Sequence, residues 1–210
     1  MILRPIRPIA QNWLRSQAKC KCDWFIKTFG QSLKKGSVLA FVLFDTCLGW
    51  MGIVSSPHGL RMVILPQKST EAVLCQVMNY GCAAEDQAPA LFGDLPHRLR
   101  RYLEGEPVDF PEKLDLVKAT CFQQNVWQIV CTIPYGETRS YGWVANKLDS
   151  PKAARGVGQA LARNPLPIVI PCHRVISSNG SLGGFSGGVE IKELLLRLEQ
   201  ASSIKAPAQR

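Results

Sequence analysis

The pattern of apolar and polar positions divides the chain into two stretches of different period. Val38–Phe44, Trp50–Ser55 and Leu60–Leu65 are short apolar runs, separated by Asp45-Thr46-Cys47-Leu48-Gly49 and by Pro57-His58-Gly59. Short runs bounded by turn residues predict an antiparallel β-meander. Helical patterns follow over Thr70–Asn79 and Pro96–Glu104. A proline- and acid-rich segment, Glu106–Lys113, then reads as a linker and places a domain boundary near residue 115.

Beyond that boundary the period becomes helical. Thr120-Cys121-Phe122-Gln123 has the form of a capping box, in which the hydroxyl caps one backbone N–H and the amide reaches back to another. Phe122, Val126, Ile129, Val130 and Ile133 then recur at helical spacing until Pro134-Tyr135-Gly136 stops the helix. Ser140 is placed to cap a short helix through Leu148. Ser150-Pro151 predicts another, Ser at the cap and Pro in the first turn, ending before Asn164-Pro165. Two short helices joined by a tight turn form a helix-turn-helix candidate. Ile168–Ile170 reads as a short buried strand, and Val189–Gln200 as a last helix with Ile191, Leu194, Leu195 and Leu198 on its apolar face. The fold class expected is α+β: a small amino-terminal antiparallel meander with helices (37–115), followed by a mostly helical domain (116–201). Residues 1–36 read as a basic extension, with a transit peptide as the alternative to a weakly ordered segment or a start site placed too early, and 202–210 as a tail.

Charge refines this division. Residues 1–36 carry eight basic residues and one acid, residues 37–117 six and ten, and residues 118–210 eleven and five, for a total of +9. A basic second half suits a polyanion such as nucleic acid, and equally a plain solvated surface. No apolar run approaches the ~18 residues of a membrane span. Eight cysteines are present. Several, such as Cys75 and Cys131, lie in apolar helical stretches and read as buried thiols of a reducing compartment, not as a disulfide framework. No C-x-x-C pair is present, so no metal site is expected.

The predicted helix starting at Pro151 is chemically odd. Gly156 and Gly158 each cost about 1 kcal/mol relative to Ala in a helix interior. With Ala153, Ala154 and Ala160 they leave a slim rod from which Arg155 projects. Such a rod either packs closely against its own domain or enters a nucleic-acid groove. The segment carrying chemistry is Pro171-Cys172-His173-Arg174-Val175, followed by the glycine-rich loop Asn179–Gly188. Dense glycine lets a ligand approach the backbone closely. Glu199 lies four residues after Leu195 and eight after Ile191, so it leans toward the apolar side, where a carboxylate needs a partner. His173 is a fitting one. On an extended strand Cys172 and His173 would point to opposite faces, which favours a water relay over direct contact.

PCHRV, the Asn-Pro seven residues before its Pro-Cys, the slim Arg-bearing helix, FQQxVW and IPYGETRSYG together resemble the O6-alkylguanine-DNA alkyltransferase family, from about Ala119 to Gln200. The segments Asp45–Trp50 and Ser56–Leu60 resemble its amino-terminal domain more loosely. The resemblance implies an RNase H-like first domain and a winged-helix-like second. It implies direct-reversal repair: one irreversible transfer of an alkyl group from O6-alkylguanine, and O4-alkylthymine, in double-stranded DNA to Cys172. On this reading His173 takes the thiol proton through water and Glu199 supports His173. Tyr141 helps rotate the phosphate and stabilises the leaving guanine. Arg155, with Lys152, Ala153, Ala154 and Gly158, meets the minor groove, and Arg155 fills the gap left by the extruded base. Asn164, Pro167, Val175, Phe185 and Ser186 form the base pocket, Asn164 also tying the recognition helix to the acceptor segment. Arg163 and Arg174 would add phosphate contacts. No cofactor, no metal and no membrane are implied, and the expected form is a cytoplasmic monomer, nucleoid-associated if bacterial. Phe185 stands where many members carry Tyr, Cys47 and Cys121 where Pro is common, and Trp143 is large for its helix. Three other readings are a lesion-binding protein without catalysis, which in related proteins lacks the acceptor cysteine, a Cys–His hydrolase and a transcription regulator.

Overall fold

The computed structural model describes residues 39–82 and 92–203, with side chains to residue 200. The basic extension and the last residues, 204–210, lie outside the described residues, as does Val38. The meander is present: β1 (Ala40–Thr46), β2 (Gly49–Ser56) and β3 (Gly59–Gln67) form an antiparallel sheet in the order β1-β2-β3. The hairpin pairs Thr46↔Gly49 and Ser56↔Gly59 leave two-residue loops. Gly59 has φ +142°, and a Cβ there would stand 2.2 Å from the Lys113 carbonyl oxygen, so only glycine fits.

Each sheet face covers its own cluster, because strand side chains alternate. Phe41, Val54 and Ile64 pack on Val73 and Val77 of α1 (Thr70–Asn79). Phe44, Met51, Ile53, Val63 and Leu65 join a larger cluster containing Leu95, Leu99, Tyr102 and Leu103 of α2 (Leu95–Leu103) and most of the buried second half. The segment after α2 is irregular, as expected of a linker, yet it is tied down. Leu60 N–H donates to the Lys113 carbonyl and Asp115 N–H to the Leu60 carbonyl, both at 2.8 Å. The side chain of buried Asp115 pairs with Arg61 at 3.1 Å.

The second half begins with α3 (Cys121–Cys131), and its capping box forms as read: Thr120 Oγ1 accepts from Gln123 N–H, and Gln123 Oε1 accepts from Thr120 N–H. β4 (Arg139–Ser140) leads into α4 (Tyr141–Lys147), where the Ser140 hydroxyl caps Trp143 N–H at 3.0 Å. The second short helix differs from expectation at its start. Pro151–Ala153 is a single 3-10 turn, Ser150 makes no side-chain cap, and α5 proper is Ala154–Ala162. Proline fixes φ without requiring the cap, so the turn tightens first.

Two further expectations are corrected. Ile168–Ile170 is not a strand. Ile168 has φ +76°, costly for a β-branched residue, within a turn in which Pro167 bridges Ile170 and Ile170 N–H donates to the Leu166 carbonyl. Cys172–Arg174 is a 3-10 turn, followed by the short β5 (Val175–Ile176), which runs parallel to β4. Of the thiols expected to be buried, Cys75 is half-buried and Cys131 exposed, because each faces the outer side of its helix; Cys82 and Cys172 are the buried ones among the described residues. The last helix, α6 (Val189–Ser203), buries Ile191, Leu194, Leu195 and Leu198 as read. Among the described residues no helix is long and apolar enough to cross a membrane.

Candidate active site around Cys172

The strained turn at Ile168 and the 3-10 turn after it deliver the Cys172 thiol into the core, where the residue is 3% exposed. Asn164, at the end of α5, holds this arrangement from three sides. Its Nδ2 donates to the Ile170 carbonyl at 2.9 Å and to Cys172 Sγ at 3.0 Å, and its Oδ1 accepts from Leu166 N–H. Burial pushes the thiol up to about 11, against the lowering effects of Asn164 and the nearby Lys192 ammonium. At neutral pH the group is therefore a thiol and needs a base to become a nucleophile. In a 3-10 turn successive side chains diverge by about 120°. Cys172 and His173 thus point apart, though for a different reason than the extended strand expected from the sequence.

His173 is fully buried, and its Nε2 lies 2.9 Å from Glu199 Oε1. The inward lean of Glu199 is real, and the carboxylate is more heavily engaged than the sequence implied. Arg174 Nε and Nη2 both donate to it, between 2.9 and 3.1 Å, and Gly136 N–H donates to Oε2 at 3.0 Å. Burial would raise Glu199, but His173 and Arg174 outweigh it and hold the carboxyl at about 2. Since Arg174 already balances that charge, burial dominates at His173 and lowers its pKa despite Glu199, with Arg174 and Lys192 adding to the effect. That shift favours the neutral imidazole at pH 7. Its Nδ1 is buried and has no hydrogen-bond partner among the described residues. Arg174, expected at a phosphate, is instead spent on Glu199 and on the Ile133 carbonyl at 2.7 Å.

The other predicted residues divide into two groups. Tyr141 is half-buried beside the thiol, whose proximity together with burial raises its hydroxyl. Gly183, φ +67°, leaves room for that hydroxyl, because a Cβ would lie 2.8 Å from it. Val175 is buried and Phe185 half-buried against the main core. Asn164, Pro167 and Ser186 line a cleft of about 430 Å³ that is also lined by Met62 and Leu65 of β3. On α5 and the turn before it, Arg155 and Lys152 are exposed, and Ala153, Ala154 and Gly158 are half-buried. Gly156 serves internal packing, because a Cβ there would press on Phe122 at 3.3 Å, whereas one on Gly158 would meet the Tyr141 ring at an ordinary 3.8 Å.

Two residues of the site were not singled out from the sequence. Lys192 is 1% exposed, and its Nζ donates to the Val175 and Leu182 carbonyls at 2.6 and 2.5 Å, stitching the glycine-rich loop to the acceptor segment. Burial lowers it to about 8. Its spacing, i and i+7 with Glu199, was the available signal. Tyr102 comes from α2, in the other half of the chain. Its hydroxyl lies 2.5 Å from Glu199 Oε1 and 3.0 Å from His173 Nε2. Nothing in the apolar stripe of α2 marks it.

A buried thiol next to a His–Glu pair, on a helix-turn-helix scaffold, is an arrangement suited to nucleophilic cysteine chemistry. Residues 121–201 match the family described as 6-O-methylguanine DNA methyltransferase, DNA binding domain. A methylated-DNA–protein-cysteine methyltransferase of Methanosarcina acetivorans is 48% identical over 161 residues, 76% of this chain and 97% of the relative. One from Mycobacterium tuberculosis is 48% identical over 120 residues, 57% of this chain and 70% of the relative. Among solved structures, the Mycobacterium tuberculosis OGT in complex with DNA superposes with a TM-score of 0.65 at 38% identity, covering 80% of this chain and 96% of that one. The O6-methylguanine-DNA methyltransferase of Pyrococcus kodakaraensis gives 0.61 at 27%, covering 77% and 98%. The chain belongs to the methylated-DNA–protein-cysteine methyltransferase family, as its motifs implied.

Proposed function

We propose that this protein repairs DNA by direct reversal, moving the alkyl group of O6-alkylguanine onto Cys172 in a single irreversible turnover. The observation that carries the assignment is the buried Cys172 thiol, fixed by Asn164 and followed in the chain by a buried histidine whose Nδ1 has no hydrogen-bond partner among the described residues, in a chain of this family. The substrate atom sits inside a duplex, so the base must leave the stack. Arg155, on the exposed side of α5, fills the gap; Lys152, Ala153, Ala154 and Gly158 form the surface laid against the minor groove. The base enters between Tyr141, Val175, Phe185 and Ser186, with Pro167 and Asn164 at the floor.

The transfer is a displacement at carbon. Through water, His173 Nδ1 takes the Cys172 proton; the sulfur pair attacks the alkyl carbon as its bond to O6 breaks. The electron pair released to the purine is stabilised by the Tyr141 hydroxyl. Glu199 and Arg174 form a neutral pair behind His173 and hold it in place. A thioether is a poor leaving group and no residue at the site could remove the alkyl group, so one molecule acts once. We assign the segment 116–201 to acceptance and DNA binding and 37–115 to support of that site. Work on chromosomal DNA would place the protein in the cytoplasm, on the nucleoid in a bacterium, as a monomer.

The test is intact mass before and after incubation with a duplex containing O6-methylguanine, followed by peptide mapping. One added methyl per chain on Cys172, and none in Cys172→Ala, is the expected result. Methylation of another cysteine, or turnover without protein labelling, would overturn the assignment.

A further inference from the structure

Tyr102 is 1% exposed and belongs to the half of the chain remote in sequence from the acceptor, yet it touches both residues that serve the thiol. A phenol has one proton to give. At 2.5 Å from Glu199 Oε1, an ionised carboxylate with no proton of its own, the Tyr102 hydroxyl must be the donor in that contact. Its oxygen can then only accept from His173 Nε2, 3.0 Å away. The same Nε2 is 2.9 Å from Glu199 Oε1, which also only accepts. Both neighbours of Nε2 are therefore acceptors, and the ring proton must sit on Nε2. The opposite tautomer would set a bare Nε2 against the carboxylate and, were Tyr102 to donate to it, a bare phenol oxygen against the carboxylate as well.

We propose that Tyr102 is a positioning residue that, with Glu199, locks His173 in the Nε2–H tautomer and so keeps Nδ1 bare for the Cys172 proton. The inference rests on the alkyl-transfer reading and adds that the amino-terminal half sets the reactivity of the thiol. The groups around His173 are consistent with this. Tyr102 approaches from α2, Glu199 and Lys192 from α6, and Cys172 and Arg174 flank it in the chain. Arg174 and Lys192 oppose a second proton on the ring, and burial with the Glu199 charge holds the Tyr102 hydroxyl protonated.

The chain has three histidines, so its side-chain 15N spectrum is readable, with His173 assigned by its loss in His173→Gln. At neutral pH the native protein is expected to show His173 with a protonated Nε2 and a bare Nδ1, and a strongly deshielded Tyr102 hydroxyl proton with a cross-peak to the His173 ring. Tyr102→Phe is expected to shift both His173 nitrogens and to slow transfer from free O6-benzylguanine about three- to tenfold, the worth of the bond from the His173 ring that the phenol no longer accepts. The loss should narrow as pH rises and thiolate forms unaided. A role in packing alone would lower thermal stability and leave the nitrogen shifts and the shape of the pH profile unchanged. That result, or an Nδ1–H or doubly protonated His173 in the native protein, or no such hydroxyl proton, overturns the proposal. The native-protein measurements decide it even if the variant fails to fold. Absence of any alkyl on Cys172 of the native protein would instead refute the functional reading itself.

Discussion

Replacing His173 by Gln removes the base and retains a polar side chain of similar reach, so its effect follows from the two ionisations at the site. Burial holds the Cys172 thiol at about 11. At pH 7 roughly one molecule in 10⁴ then carries a thiolate, a deficit of about 5 kcal/mol. On the proposed mechanism His173 offsets this in the native protein by accepting the proton during attack. Its pKa is lowered by burial, so it is already neutral at pH 7, and the native rate should be nearly flat from there upward. His173→Gln can react only through thiolate formed beforehand, so its rate should rise about tenfold per pH unit. General-base assistance typically contributes about 10²–10⁴-fold. The expected deficit is thus on the order of 10² or more at pH 7, shrinking to a small factor near pH 10. Lys192, held at about 8, loses its charge within this range and with it some of its pull on the thiol. That change lowers the supply of preformed thiolate, so it flattens the rise of the variant somewhat above pH 8. The assay is quenched reaction with free O6-benzylguanine, scored by intact mass, so DNA binding does not enter. A deficit that stays constant from pH 7 to 10 would mean that His173 only shapes the site. No deficit would mean that another group takes the proton.

Glu199→Gln leaves Arg174 partly buried without its partner and is expected to destabilise the fold by about 3–5 kcal/mol at neutral pH, measured by urea denaturation. The folded-state pKa of Glu199 falls from 4.5 to about 2, so its stabilisation, about 3 kcal/mol, is present above pH 4.5 and lost as pH falls toward 2; the variant should lack that part of the acid-unfolding slope, and an unchanged slope would refute the pairing. Arg155→Ala is expected to impair repair of duplex DNA far more than reaction with O6-benzylguanine; equal losses on both substrates would remove Arg155 from the groove. Gly59→Ala forces a left-handed φ and a clash with the Lys113 carbonyl, so a loss of about 2–4 kcal/mol is expected in denaturation, with the transfer rate of the folded fraction near native.

Local pattern sufficed where a single element carries its own signal. The meander, the capping box at Thr120, the Ser140 cap and the apolar stripe of α6 each depend on residues a few positions apart, and each was legible. The PCHRV segment and its neighbours carried the family resemblance, and it is the resemblance that makes Cys172 the proposed acceptor. Legibility failed where the backbone departs from its average. Ile168 adopts a positive φ because Asn164 and the buried surroundings hold it there, and no propensity scale expects that of isoleucine. The purpose of Gly156 was ambiguous until Phe122 was seen against it. Charge balance was the least legible quantity of all. That Arg174 neutralises Glu199 and so keeps His173 neutral, and that a phenol from α2 meets both, depend on contacts between residues 25 to 97 positions apart. The sequence by itself supplied the family resemblance, the candidate nucleophile at Cys172 and most of the elements around it, α2 excepted. Only the tertiary structure decided the protonation states that make it reactive, because burial and ion pairing are properties of space and not of order along the chain.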